Sequence, residues 1–288
     1  MLTGLDHECI VKYYDLIETN YEIQELKDDE IVKSETSTSI AITTSSSTSS
    51  PPSSPTSSLS SYYSNDFKDG KIYLVMEWLG DGCNLSNWIS STRENRSLDS
   101  VKCIIKKLIE AVEYLKQVEI AHHDIKLDNL IFNESKQTVK LIDFGVSEYC
   151  PNDESYCAFG TPAYQAPEIL TRSNPCKAIS GHKSDMWSLG VVAYQLANPE
   201  GKLPFEGESV MEVFDGIIHD KPNFSIIKND KLRDLIKKLL KKNPKSRLTA
   251  SEALKHPFIT DETGSWYLNK ICKVFKSICK VFKSLFTL

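Results

Sequence analysis

The sequence predicts an α+β architecture, in which a short strand-rich front part leads into a mainly helical body. Two runs of strand character, one within Leu5–Ile17 and one over Lys71–Trp78, precede residue 80, whereas every long stretch of helical spacing follows it. Between the two strands, residues 34–65 collapse to Ser, Thr and Pro, including Pro51-Pro-Ser-Ser-Pro55. Too little apolar surface remains there to offset the entropy of ordering, so a disordered insertion is expected.

Taken in order, the chain opens with Leu5-Asp-His-Glu-Cys-Ile-Val, a turn-like start that runs into β-branched and aromatic residues up to Ile17. Lys71-Ile-Tyr-Leu-Val-Met-Glu-Trp78 reads as a buried strand closed by Gly80-Asp-Gly82. Helical spacing follows from Leu85 to Ile89 and from Ser100 to Val118. In the second stretch Val101, Ile104, Ile105, Leu108, Ile109, Val112 and Leu115 make one apolar stripe. A polar segment without periodicity begins after Gly145 and ends at Gly160–Glu168, the pattern of a long surface loop pinned at both ends. Asp185–Leu196 is apolar nearly all round and should be a central buried helix, with further helices at about 209–219, 230–241 and 249–255.

Composition narrows the function classes. A chain of 288 residues with 40% hydrophobic content can bury a sizeable core. Its net charge of −5 argues against a protein whose main work is gripping nucleic acid. Eight cysteines occur without a C-x-x-C pair, and the N-terminus lacks the charged-then-apolar pattern of a signal peptide, which suits reduced thiols in the cytosol (cytoplasmic) or nucleus. Lysines interrupt every apolar run before the roughly 18 residues a bilayer needs.

The chemistry concentrates in Ile120-Ala-His-His-Asp-Ile-Lys-Leu-Asp-Asn-Leu-Ile131 and Leu141-Ile-Asp-Phe-Gly145. Asp124, Asn129 and Asp143 put three oxygen acceptors on two short loops, each flanked by apolar residues that could anchor it. That pattern suits a proton acceptor and divalent cations. The adjacent His122 and His123 raise the question of a transition-metal site, but no Cys or carboxylate lies at ligand spacing, so zinc is not expected there.

Together these residues resemble the eukaryotic protein kinase family. His122-His-Asp-Ile-Lys-Leu-Asp-Asn129 is similar to H-R-D-x-K-x-x-N with His123 in the Arg position. Asp143-Phe-Gly145 matches D-F-G, Ala166-Pro-Glu168 matches A-P-E, and Asn243-Pro-x-x-Arg247 follows. The resemblance implies a Ser/Thr-type enzyme that uses ATP and Mg²⁺ and acts on a protein substrate. It implies that Asp124 accepts the substrate hydroxyl proton, that Asn129 and Asp143 hold magnesium, and that Lys126 touches the transferred phosphoryl group while Thr161 bonds the same loop. Main-chain groups of Glu77 and Leu79 would hold the adenine edge, with Met76 as gatekeeper and Ile131 as floor. Glu168 and Arg247 would form a buried pair. Where His123 replaces arginine, the permanent charge that activation-loop phosphorylation neutralises is missing, which weakens that need; Ser155 and Tyr156 are the candidate phosphosites. Within the family, Ile142–Ser147 and Phe159–Glu168 look most like the calcium/calmodulin-dependent kinase kinases.

On this resemblance residues 1–33 and 66–80 are a partial, truncated N-lobe sheet, 81–260 a mainly helical C-lobe and 261–288 a basic amphipathic tail. The family's Gly-rich loop and ATP lysine have no counterpart, so the chain is expected to be a truncated form or fragment of an active kinase. The alternative is a pseudokinase scaffold that binds partners through its C-lobe and tail. In the tail, Ile271–Ser277 is repeated as Ile278–Ser284. On a helix this sets apolar residues along one face and lysines largely elsewhere, which suits a calmodulin-like groove or an acidic membrane surface for 266–288.

Overall fold

The computed structural model describes residues 4–19, 40–44, 71–93 and 96–261. They fall into two compact units, Met1–Asp81 and Gly82–Leu288. The amphipathic tail, including 266–288, lies outside the described residues.

The first unit is a three-stranded antiparallel sheet in the order β1-β3-β2, from β1 (Tyr13–Thr19), β2 (Ile40–Thr44) and β3 (Lys71–Glu77). Strand β1 begins only at Tyr13, after a turn at Glu8 and Cys9 that the Ile10 amide closes on His7 O at 3.0 Å. The register pairs Leu16 with Leu74 and slips between Tyr13 and Asp15. Strand β2 is the described part of the Ser/Thr/Pro-rich segment 34–65, whose remaining residues lie outside the described ones. Ile40-Ala-Ile-Thr-Thr44 is where β-branched residues gather in that segment, and it pairs along β3 from Ile40 opposite Glu77 to Thr44 opposite Tyr73.

The second unit is built on two helices. Helix α2 (Leu98–Gln117) follows α1 (Leu85–Thr92) and starts where the Ser97 side chain accepts from the Asp99 amide. All seven residues of its predicted stripe are buried. At about 1.5–3 kcal/mol per buried aliphatic side chain, that face is what fixes the helix against its neighbours. Helix α4 (Gly181–Ala197) is buried on every side, as its lack of a polar face requires. It contacts α2 and also α6 (Asp230–Leu239), where Gly190 permits the approach: a Cβ there would lie 2.9 Å from both Leu239 Cβ and Leu240 Cδ2. Around this pair stand α3 (Pro167–Leu170), α5 (Val210–His219), α7 (Ala250–Leu254) and α8 (Pro257–Thr260). Helix α7 begins with a reciprocal capping box between Thr249 and Glu252. None of the described helices is long and apolar enough to cross a membrane.

Short strands place the loops. Strand β4 (Cys83–Asn84) and the hairpin β6 (Leu130–Asn133) with β7 (Thr138–Leu141) form one sheet, while β5 (Ile120–Ala121) pairs with β8 (Glu148–Tyr149) and β9 (Glu154–Ser155) with β10 (Ile179–Ser180). The segment after Gly145 is therefore not a surface loop pinned only at its ends. It is stitched at β8 and β9, and Cys150 and Ser155 within it have no exposed surface.

One of these stitches carries charge. Asp153 Oδ1 lies 2.6 Å from His182 Nδ1 and also accepts from the His182 amide, Ser180 Oγ donates to Asp153 Oδ2, and His182 Nε2 lies 3.0 Å from Ile120 O. Burial disfavours a charged His182, but the bond and charge of Asp153 outweigh it and raise its pKa above the ordinary 6.5. With both ring nitrogens facing acceptors, the imidazolium is the form the site satisfies. Its stabilising contribution is therefore full below pH 6.5 and is lost as pH rises through the raised folded value. Urea unfolding at about pH 6 and about pH 8.5 should show a drop in stability that His182→Gln removes. An equal drop in the variant would assign it to other groups.

Candidate active site

The loop between β5 and β6 turns sharply, and buried Asp185 on α4 sets its shape. The two Asp185 oxygens accept the main-chain amides of His122 (2.7 Å) and His123 (2.8 Å). His123 is thereby held at φ 65°, a left-handed conformation that costs a non-glycine residue about 1–3 kcal/mol. The His122 ring locks the residue two positions on: its Nδ1 accepts the Asp124 amide at 3.2 Å, so Nε2 carries the proton and donates to Ile142 O at 3.1 Å. Burial holds the pKa of His122 below the ordinary range, which keeps that tautomer neutral. Phe144 meets the His122 ring edge to face at 4.7 Å, joining the two loops.

Four donors converge on the Asp124 carboxylate. Lys126 Nζ (2.7 Å) and Asn129 Nδ2 (3.0 Å) donate to Oδ2, and the Thr161 amide (3.0 Å) and hydroxyl (2.7 Å) to Oδ1. Lys126 also donates to Thr161 Oγ1 at 2.8 Å. Burial pushes the Asp124 pKa up, but the Lys126 and Thr161 bonds outweigh it and hold the group below the usual carboxylate range. The carboxylate is ionised, and all of its roughly four acceptor positions are engaged.

Thr161 reaches this site only because Gly160 precedes it. Gly160 has φ 125°, and a Cβ there would lie 2.5 Å from His123 O. Asn129 and Asp143 stand at the same end of the β6–β7 hairpin, since the Ile142 amide bonds Asn129 O at 3.0 Å next to the Leu130–Leu141 pair. Asn129 turns its amide nitrogen to Asp124, so its side-chain oxygen is the atom that could meet a cation. Asp143 is exposed at φ 61°, and its Oδ1 accepts the Gly145 amide at 3.2 Å. An amide oxygen beside a carboxylate is a hard donor set that fits Mg²⁺.

Of the other anticipated residues, Ile131 lies in β6 opposite Lys140 and half-buried. Met76, Glu77 and Leu79 belong to the first unit, where Glu77 ends β3 and its amide donates to Lys12 O at 2.9 Å. Glu168 and Arg247 make a two-pronged pair at 2.7 and 2.8 Å, with the guanidinium fully buried 5.1 Å from the Trp187 ring.

Two expectations need correction. Ser155 is not a surface phosphosite: it is fully buried, and its hydroxyl donates to Glu148 Oε2 at 2.6 Å. Tyr156 is half exposed. His123 does have a cysteine and a carboxylate beside it, Cys150 and Glu148, which the fold brings in from β8 and the residue after it. Linear spacing could not show this, because the β5–β8 pairing of Ala121 with Glu148 creates the proximity. The loop-holding role of Asp185 is likewise absent from linear spacing, because it exists only once α4 packs against the loop after β5.

Comparison with known proteins gives an independent view. The model of the family described as protein kinase domain matches residues 52–259. A probable serine/threonine-protein kinase of Dictyostelium discoideum is 33% identical over 208 residues, covering 72% of this chain and 28% of that protein. Serine/threonine-protein kinase PLK4 of Nematostella vectensis is 35% identical over 71% of this chain and 20% of its own length. Calcium-dependent protein kinase SK5 of Glycine max is 36% identical over 66% of this chain and 37% of its own length. The chain thus spans between about a fifth and about two fifths of the length of these relatives.

Proposed function

Given that the chain belongs to the protein kinase domain family, we propose that it transfers the γ-phosphoryl group of ATP to serine or threonine hydroxyls of proteins. The observation that carries this reading is the Asp124 carboxylate, kept ionised and aimed by Lys126, Asn129 and Thr161. Asp124 receives the substrate hydroxyl. Because its acceptor positions are all engaged, that hydroxyl replaces one present donor, and the Thr161 hydroxyl and Lys126 ammonium are the two that side-chain rotation can free. Lys126 then faces the transferred group with its charge, and the Lys126 position favours Ser and Thr over Tyr on the family's pattern. Asn129 and Asp143 would hold Mg²⁺, which when bound neutralises the phosphate charge. The adenine-holding roles of Glu77, Leu79 and Ile131 rest on the motif resemblance.

The test is a thermal-shift titration with Mg-ATP beside an Asp143→Asn variant, together with label transfer from ATP to Ser/Thr peptides. A shift that the variant weakens, with label on Ser or Thr, supports the reading. A folded parent with neither shift nor transfer overturns it and leaves the scaffold alternative. Asp185→Asn should lower kcat on the order of 10²-fold while nucleotide KM changes little, because it displaces the loop rather than a binding group. Equal losses in both parameters would contradict a positioning role. For the tail, the same reading extends to regulation: a synthetic 266–288 peptide should bind either calmodulin or acidic vesicles, and no binding to both removes that partner assignment.

A further inference from the structure

Outside the phosphoryl-transfer residues, one cluster of ligand-type side chains stands out among the described residues. His123, Glu148 and Cys150 offer Nε2, a carboxylate oxygen and Sγ, all within 4.8 Å of one another. We propose that these three side chains form a transition-metal site of the zinc class, joining the catalytic loop to strand β8.

The geometry carries the inference. Bond lengths of about 2.05 Å to nitrogen, 2.1 Å to oxygen and 2.3 Å to sulfur in a tetrahedron require edges of about 3.4 Å for N···O and about 3.6 Å for S···O. The observed His123 Nε2···Glu148 Oε2 separation is 3.4 Å and Cys150 Sγ···Glu148 Oε2 is 3.6 Å. An imidazole with a thiolate selects the zinc class over Mg²⁺ or Ca²⁺. His123 and Cys150 are fully buried, while the Glu148 side chain is 30% exposed, so an ion enters from the Glu148 side and leaves one position for water. Ser155 Oγ, 2.6 Å from Glu148 Oε2 and 3.2 Å from His123 Nε2, and the Cys157 amide, 3.3 Å from the same oxygen, hold Glu148 beside His123, and a bound ion displaces the Ser155 hydroxyl from both ligand atoms. Gly181 lets α4 close on this corner: a Cβ there would lie 2.8 Å from Ala121 Cβ and 3.2 Å from Ser155 Cβ. On binding, the Cys150 thiol proton leaves to solvent and the cation takes its place. The site would fix β8, and through it the segment carrying Thr161, without a phosphate.

The experiment needs no kinase assay, so its outcome is independent of the activity proposed above. The full chain, treated with chelator and reductant, is titrated with Zn²⁺ against a chromophoric chelator and, in parallel, with Co²⁺. One equivalent should bind with Kd below about 1 µM, and the Co²⁺ form should show thiolate-to-metal absorption. His123→Gln or Cys150→Ser should weaken binding at least tenfold, on the order of the loss expected for a disturbed site, whereas Cys176→Ser, at an exposed cysteine, leaves it intact. Should the buried variants fail to fold, Glu148→Gln at the partly exposed ligand decides by the same tenfold criterion. Absence of binding, or binding unchanged in the folded ligand variants, overturns the site in favour of a hydrogen-bonded cluster alone.

Discussion

On the proposed activity, Asp124→Asn is expected to lower kcat for phosphoryl transfer to a Ser/Thr substrate by about 10²–10⁴-fold, the range that a positioned proton acceptor contributes. The variant is more disruptive than a lost charge. Whichever way the new amide points, its NH₂ faces donors, either Lys126 Nζ and Asn129 Nδ2 or the Thr161 amide and hydroxyl. Nucleotide binding, measured by thermal shift with Mg-ATP, should persist, because Asn129 and Asp143 keep their oxygens. A variant that stays folded and retains more than about a tenth of the parent kcat would show that Asp124 is not the acceptor.

Arg247→Met destabilises the second unit by about 3–5 kcal/mol, the range for breaking a buried ion pair from one side. The guanidinium does more than meet Glu168. It donates to the carbonyl oxygens of Lys183 (2.6 Å) and Lys241 (3.0 Å) and stands over the Trp187 ring, so it ties the helix α4 start to the loop before α7. Removing it leaves the Glu168 carboxylate, itself only 12% exposed, without its counter-charge. Pairing Arg247→Met with Glu168→Gln should recover part of the loss, since no charge is then stranded. Arg247→Lys should not restore the parent, because an ammonium cannot make the two-pronged contact. Urea unfolding of the three variants reads both effects, and a loss below about 1 kcal/mol for Arg247→Met would place the pair among those that contribute little.

Much of the second unit was legible because its elements announce themselves locally. The α2 stripe and the all-round apolar α4 differ in period and polarity from the segments around them, and each became the helix its pattern required. Less legible were elements whose residues gain their conformation from a partner. Strand β2 sits within a Ser/Thr/Pro-rich stretch and forms along β3, and the two-residue strands β5 and β8 are too short to carry any period. Conformations such as φ 65° at His123 are set by a buried carboxylate from α4, which lies 62 positions on.

The sequence by itself determined the identity and order of the chemical groups: Asp124, Lys126, Asn129 and Asp143 on two loops, with an apolar flank to anchor each. Their types and short spacings are local properties, and local properties survive in a linear reading. Only the tertiary structure decided what surrounds them. That Thr161 closes on Asp124, that Asp185 holds the loop, that Ser155 is sealed from solvent and that Glu148 and Cys150 stand beside His123 all depend on contacts between elements far apart in the chain. Such contacts form because burying α4 and pairing β5 with β8 bring remote groups within bonding distance, and no periodicity encodes which groups will meet.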